Sequence, residues 1–203
     1  MRTDCVIKHI IVLLILVLLT SCSAFSPIKT ETSTTYVLNS VPTVKKHLNT
    51  RAMNLLVMPI ESNSIYNTTQ MIYTTQRYEV AHFAKNRWAA PPAQMLQPLI
   101  VQTLQNTRYF RAVSGMPAAG VYQLVLNTQL IELQQIFFSQ KSVVRMTLRA
   151  QLINTITNQI TTKEFSVTET APQNTPYGGV VAANRATVKL LQQLVAFCVN
   201  EKR

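Results

Sequence analysis

The clearest strand pattern in the sequence runs from Val143 to Leu152 and reads Val-Val-Arg-Met-Thr-Leu-Arg-Ala-Gln-Leu. Apolar and polar residues alternate along it, and a period of two is typical of a β-strand that buries one face. The apolar residues on the buried face are Val144, Met146, Leu148, Ala150 and Leu152. The residues on the other face are Arg145, Thr147, Arg149 and Gln151. The stretch therefore predicts a long strand with one buried face and one face in water.

The sequence on either side of this stretch extends the same pattern. An apolar face also marks the preceding strand, through Tyr122, Leu124, Leu126 and Leu130. After it, residues 154–159 predict a turn, and residues 160–169 predict a third strand that returns beside the second. Long neighbouring strands with short connections predict an antiparallel meander with one solvated face.

Shorter strands and a helix are predicted nearer the N-terminus. Residues 55–60 form an apolar run typical of a buried strand, and residues 71–84 predict two strands joined near Gln76 and Arg77. Helical spacing follows Pro91 and Pro92, at Met95, Leu96, Leu99, Ile100 and Leu104. Because proline is tolerated only in the first turn of a helix, Pro98 places the start of this helix near Ala93 or later.

A short strand at residues 108–113 and a long terminal helix complete the domain. Thr175 and Pro176 predict the N-cap and the first residue of that helix. Its buried face is predicted to comprise Ala183, Thr187, Leu190, Leu191, Leu194, Val195 and Cys198. The fold class predicted by these elements is α+β: a single domain with a mostly antiparallel sheet and two helices packed on one face.

The first residues predict export and a lipid anchor. A basic start precedes an apolar run of about ten residues, which suits a signal peptide and is about half the length needed to cross a membrane. The run ends in Leu19-Thr20-Ser21-Cys22, the pattern of a bacterial lipobox. Residues 1–21 are then a lipoprotein signal peptide, residues 22–35 a lipidated N-terminus and tether, and residues 36–203 the folded domain. The alternative is a chance cysteine after an ordinary signal peptide.

Cys22 is predicted to carry covalent diacylglyceryl and N-acyl groups, and we expect no other cofactor. Removing residues 1–21 leaves 182 residues, with 17 Lys and Arg against 7 acidic residues, a balance of +10. Such a charge suits nucleic acid, anionic headgroups or an acidic protein. Because export makes nucleic acid an improbable partner, we expect the cationic surface to lie close to a bilayer.

The mature sequence offers little for catalysis. Its histidines are His47 and His82, and it has no metal-binding spacing of Cys, His or acidic residues. Glu164 and Glu169 fall on opposite faces of one predicted strand, and no serine or cysteine nucleophile has a recognisable partner. Gly178-Gly179 is too short for a phosphate loop and is interpreted as flexibility at the start of the helix. We predict no catalytic site and no metal site.

Residues 73–92 are the candidate interaction segment. Twenty positions hold four aromatic and four basic residues with one acid, an enrichment typical of protein interfaces. The predicted partner-binding residues are Tyr73, Arg77, Tyr78, Phe83, Arg87 and Trp88. The alternative is that Trp88 and Phe83 fill the core while the basic groups are solvated.

The run Asn86-Arg87-Trp88-Ala89, followed by Pro91-Pro92, resembles the ABC-type transport auxiliary lipoprotein family. Val57-Met58-Pro59-Ile60 and Ala182-Ala183-Asn184-Arg185-Ala186 support the resemblance, which covers about residues 36–199. Members include the lipoprotein of the paraquat-inducible system and auxiliary components of Mce-type lipid transporters.

The resemblance implies a non-catalytic envelope component. It would work beside an ABC permease, an ATPase and an Mce-domain protein that move phospholipid or other hydrophobic molecules between the inner and outer membranes. Its implied role is to dock that periplasmic machinery to the outer membrane, facing the periplasm; Ser23 after Cys22 favours that membrane. Homo-oligomerisation stays open. The alternatives are a periplasmic carrier that itself holds the lipid, and, less favoured, an envelope hydrolase.

Overall fold

The computed structural model describes residues 32–47 and 51–200. The predicted signal peptide and Cys22 lie outside these residues. The described residues from Ser33 onward belong to one compact unit. The strands in this part of the chain are β1 Thr34–Tyr36, β2 Arg51–Val57, β3 Glu61–Ser62, β4 Gln70–Thr74, β5 Ala81–Trp88, β6 Phe110–Gly115, β7 Leu124–Ile136, β8 Val143–Asn154 and β9 Gln159–Thr170. The α-helices described are α1 Pro92–Asn106 and α2 Pro176–Asn200, and a short 3-10 helix spans Ser64–Tyr66.

The predicted meander forms the long half of the sheet. Strand β8 pairs antiparallel with β7, from Val143 opposite Ile136 to Asn154 opposite Leu124. On its other edge β8 pairs antiparallel with β9 over its whole length. Alternation of apolar residues favours this arrangement, because a slip of one residue would turn the apolar side chains to the other face.

The second edge of β7 is shared by three short strands, all parallel to it. Leu55–Val57 of β2 pair with Leu124–Leu126, β3 pairs with the middle of β7, and β4 pairs near its end at Gln135 and Ile136. Two sets of strands continue the sheet from this edge. Strand β6 pairs parallel with β2, while β5 pairs antiparallel with β4 and carries β1 in parallel. The sheet is therefore mixed, with its long ladders antiparallel.

Both helices cover the inner face of this sheet. Helix α1 contacts β6 and β7, and α2 contacts β8 and β9. The buried face of α2 agrees with the prediction at Ala183, Thr187, Leu190, Leu191, Leu194 and Cys198, while Val195 is partly buried. The predicted cap is also present, because the Gly178 backbone N–H donates to Thr175 Oγ1 over 3.0 Å. The predicted α+β class, with two helices on one face, is confirmed.

The position of Pro98 differs from the prediction. Helix α1 begins at Pro92, so Pro98 lies beyond the first turn, within the helix. A proline there removes the N–H that would bond the carbonyl of Gln94. Both Pro98 and Gln94 are exposed, so water can replace the missing donor and the helix continues.

Candidate functional site

The candidate segment folds as a hairpin at one end of the sheet. Strand β4 ends at Thr74, residues 75–80 form the turn, and β5 returns from Ala81. The Thr74 hydroxyl donates to the Gln76 carbonyl over 2.7 Å, and the Gln76 amide donates to the Glu79 carboxylate. Tyr78 has a φ of 66° and a fully exposed side chain at the tip. The hairpin therefore projects an aromatic ring into solvent.

The predicted partner-binding residues divide into three groups. Arg77, Tyr78 and Arg87 are exposed, Tyr73 and Phe83 are partly buried, and Trp88 is 5% exposed within the core. Trp88 thus takes the alternative position that the sequence left open, and its side chain is not on the surface. Partner contact by the other five residues stays a prediction.

An aromatic cluster supports the base of the hairpin. The ring centroids of Tyr73 and Phe83 are 4.4 Å apart, and Phe137 packs edge-on against both at 5.9 Å and 6.4 Å. The Phe137 N–H also donates to the Thr74 carbonyl over 2.9 Å. Phe137 follows β7 and was missed from the sequence, although the apolar run Ile136-Phe137-Phe138 marks it. The cluster ties the hairpin to the end of β7.

The interior beneath this cluster is tightly filled. A cavity of about 10 Å³ lies among Ile72, Phe83, Trp88, Leu133 and Val144. A site for even one drug-sized ligand measures roughly 300 Å³ or more. A larger depression, of about 540 Å³, is an open groove on the outer sheet face with polar groups such as Asn127, Gln129 and Gln151 in its lining. Neither has the enclosed apolar form that a lipid carrier requires, and another depression, of about 380 Å³ between β9 and α2, is also open and has Lys163 and Gln193 in its lining.

Charged side chains on the outer sheet face form two ion pairs. Arg149 contacts Glu164 at 3.0 Å, and Arg145 contacts Glu132 at 3.7 Å. Burial, followed by the charge of Glu132, raises the pKa of Tyr66 to about 12, and the charge of Arg145 opposes this shift. Within residues 32–47 and 51–200, no group of three or more His, Cys, Asp or Glu side chains could hold a metal ion. Among the helices described there, none has the length and hydropathy to span a membrane.

Residues 36–196 match the sequence profile of the family described as the ABC-type transport auxiliary lipoprotein component. The chain belongs to this family. The match contains the hairpin, α1, the sheet from Tyr36 and α2 as far as residue 196, so the resemblance drawn from Asn86–Pro92 is confirmed. The members of this family are described as auxiliary components of transport systems, and the family is not an enzyme family.

Solved structures agree on the fold of this ABC-transport auxiliary domain. The crystal structure of protein XCC0632 from Xanthomonas campestris is 15% identical, with a TM-score of 0.74, and the match covers 82% of this chain and 95% of that chain. The crystal structure of an uncharacterized protein is 17% identical, with a TM-score of 0.64, covering 84% and 99% respectively. No curated protein matches the chain. At these identities the likeness establishes the fold alone.

Proposed function

We propose that this auxiliary lipoprotein is a non-catalytic envelope component that docks an Mce-type ABC transporter to the outer membrane. The partners would be an Mce-domain protein and its permease and ATPase, and the cargo phospholipid or another hydrophobic molecule. The observation that carries the proposal is the family match over residues 36–196, because that family serves ABC-type transport as a lipoprotein. The small volume of the cavity beneath the aromatic cluster, about 10 Å³, supports docking over the carrier hypothesis.

Cys22 is the proposed attachment to the bilayer. Diacylglyceryl and N-acyl groups on this residue would place several acyl chains in one leaflet, and each buried methylene contributes about 0.8 kcal/mol. Several chains therefore hold a protein to a membrane almost permanently. The folded domain would then lie in the periplasm, within the reach of the tether.

The outer edge of β5 is the proposed site of protein contact. Strand β1 covers this edge only from Asn86 to Trp88, and among the described residues no strand pairs with it from Ala81 to Ala84. An open edge next to exposed Arg87 and partly buried Phe83 offers backbone hydrogen bonds together with cationic and aromatic contacts. Trp88 supports this strand from the core with its side chain, and its backbone N–H donates to the Thr69 carbonyl over 2.7 Å.

Position-specific photocrosslinking in cells tests this surface. A crosslinking amino acid at Arg87 should capture the Mce-domain protein, because the partner would cover β5. The same amino acid at Ile156, which is 65% exposed in the β8–β9 turn at the far end of the sheet, serves as the matched control. Equal capture from both positions, or capture from Ile156 alone, would refute the assignment of the contact to β5.

A further inference from the structure

Three apolar side chains protrude at the hairpin end of the sheet, and we name them the apical patch: Tyr78, Val80 and Phe138. Their exposed fractions are 103%, 41% and 55%. They come from two turns, 75–80 and 137–142, and the hydrogen bond from Phe137 N–H to the Thr74 carbonyl joins the end of β4 to the start of the second turn. Exposed apolar side chains grouped at one end of a soluble domain are typical of an interaction site.

Two basic side chains lie in the same turns as the apical patch. Arg77 precedes Tyr78 in the first turn, and Lys141 follows Phe138 in the second; both are exposed. The Ser139 hydroxyl donates to the Lys141 carbonyl over 2.7 Å, which shapes the second turn. The one acid in these two turns is Glu79, whose carboxylate accepts a hydrogen bond from Gln76. The two turns therefore carry a net charge of +1, from Arg77 and Lys141 against Glu79, beside their three exposed apolar side chains.

The N-terminal end of β1 points towards the hairpin end of the sheet. Strand β1 runs parallel to β5, with Thr34 beside Asn86, so going back along β1 leads towards the start of β5. From Asn86 back to Ala81 is roughly 17 Å along the strand. Cys22 precedes Thr34 by twelve residues, a span of roughly 40 Å at full extension. The tether can therefore reach a bilayer that touches the hairpin tip.

We propose that the apical patch inserts into the headgroup region of the leaflet that carries the Cys22 lipid. Tyr78 suits this depth, because a tyrosine ring is apolar at its base and polar at its hydroxyl. Arg77 and Lys141 bind lipid phosphates, each contributing an attraction that depends on anionic lipid. The proposal rests on the lipid anchor of the proposed function. It assigns Arg77 and Tyr78 to the membrane and leaves Arg87 and Phe83 to the protein partner.

This contact orients the domain. With the hairpin end on the bilayer, the opposite end, where Val121 and Ile156 are exposed, faces away from the membrane. The β6–β7 loop and the β8–β9 turn are joined there by hydrogen bonds from Thr155 to the carbonyls of Tyr122 and Gln123. A protein partner on β5 would then approach from the side of the domain.

Fluorescence in proteoliposomes tests the insertion. The full-length acylated lipoprotein with Tyr78→Cys is labelled with an environment-sensitive nitrobenzoxadiazole dye; Cys198 is fully buried, and Cys22 would be acylated. The vesicles contain phosphatidylglycerol and phosphatidylcholine in equal parts, with or without a spin-labelled lipid as quencher. We expect a blue-shifted emission and several-fold more quenching at position 78 than in the matched Ile156→Cys control.

Water-like emission at position 78, equal to that at position 156, would overturn the proposal. So would a shift that occurs only when the purified transporter is added, since that result assigns the tip to a protein partner. Arg77→Glu with Lys141→Glu should lower the quenching, and vesicles of phosphatidylcholine alone should do the same. Mass spectrometry of the purified lipoprotein tests acylation separately, so a missing anchor is distinguishable from a tip that does not insert.

Discussion

Adding one methyl group at the start of α2 should destabilise the domain, although a helix ordinarily gains from such a change. Replacing glycine by alanine inside a helix stabilises it by about 1 kcal/mol in the absence of other contacts. A Cβ at Gly179, however, would lie 2.2 Å from Gln135 Oε1 and 2.7 Å from Gln135 Cδ. At Gly178 it would lie 2.0 Å from the Gln173 carbonyl oxygen. Close approach, rather than flexibility, therefore explains this glycine pair.

The size of the effect follows from what must move. At Gly179 the buried amide of Gln135 must shift, and it donates to Ser142 Oγ over 2.9 Å and to the Thr175 carbonyl over 3.2 Å. Overpacking costs about 1–3 kcal/mol, and an unsatisfied buried donor costs a similar amount. After subtracting the helix gain, we expect Gly179→Ala to lower the free energy of unfolding by about 2 kcal/mol. Gly178→Ala should cost at least as much, because its neighbour is backbone.

Urea unfolding of the mature protein in detergent, followed by circular dichroism, measures these differences. Gly115→Ala is the matched control, because the nearest atom to its Cβ would be Val101 Cγ2 at 3.4 Å, which is ordinary contact. We expect that control to stay within about 0.5 kcal/mol of the wild type. A stabilised Gly179→Ala protein would refute the packing of α2 against Gln135.

Other substitutions test the core, the outer sheet face and the anchor. Trp88→Ala should cost about 3–5 kcal/mol by urea unfolding, whereas Arg87→Ala should cost less than about 0.5 kcal/mol, because only the first side chain fills the core. Since the folded-state pKa of Tyr66 is raised to about 12, its contribution to stability is complete below pH 10 and is lost as the pH rises to 12. We expect the wild type to lose about 2 kcal/mol more than Tyr66→Phe over that interval, and equal losses in the two proteins would contradict the burial of this phenol. Cys22→Ala should abolish incorporation of labelled fatty acid into the protein in growing cells, and continued incorporation would contradict acylation at Cys22.

The sequence was most informative where local pattern and tertiary structure agree. Alternation through Val144–Leu152 predicted β8 and its neighbours, because a slip of one residue would move the apolar set to the solvated face. The cap at Thr175 was equally local. The parallel pairing of β2, β3 and β4 along one edge of β7 could not be predicted, because such short strands receive their direction and partner from distant contacts.

The candidate site shows the same division. Aromatic and basic composition identified the hairpin, but its loose alternation did not reveal that Trp88 faces the core while Arg87 faces solvent. Phe137 joins Tyr73 and Phe83 only in the folded sheet, across more than fifty residues of sequence. The apical patch depends on the same long-range contact, since the pairing of β4 with the end of β7 places Phe138 at the hairpin end of the sheet.

Crosslinking of the C-terminally tagged lipoprotein in intact cells, followed by mass spectrometry of the captured proteins, tests the docking role most directly. We expect recovery of an Mce-domain protein together with its permease, and a lower yield of both proteins from the Arg87→Glu variant. Recovery of bound lipid without either protein would contradict docking and favour the carrier hypothesis.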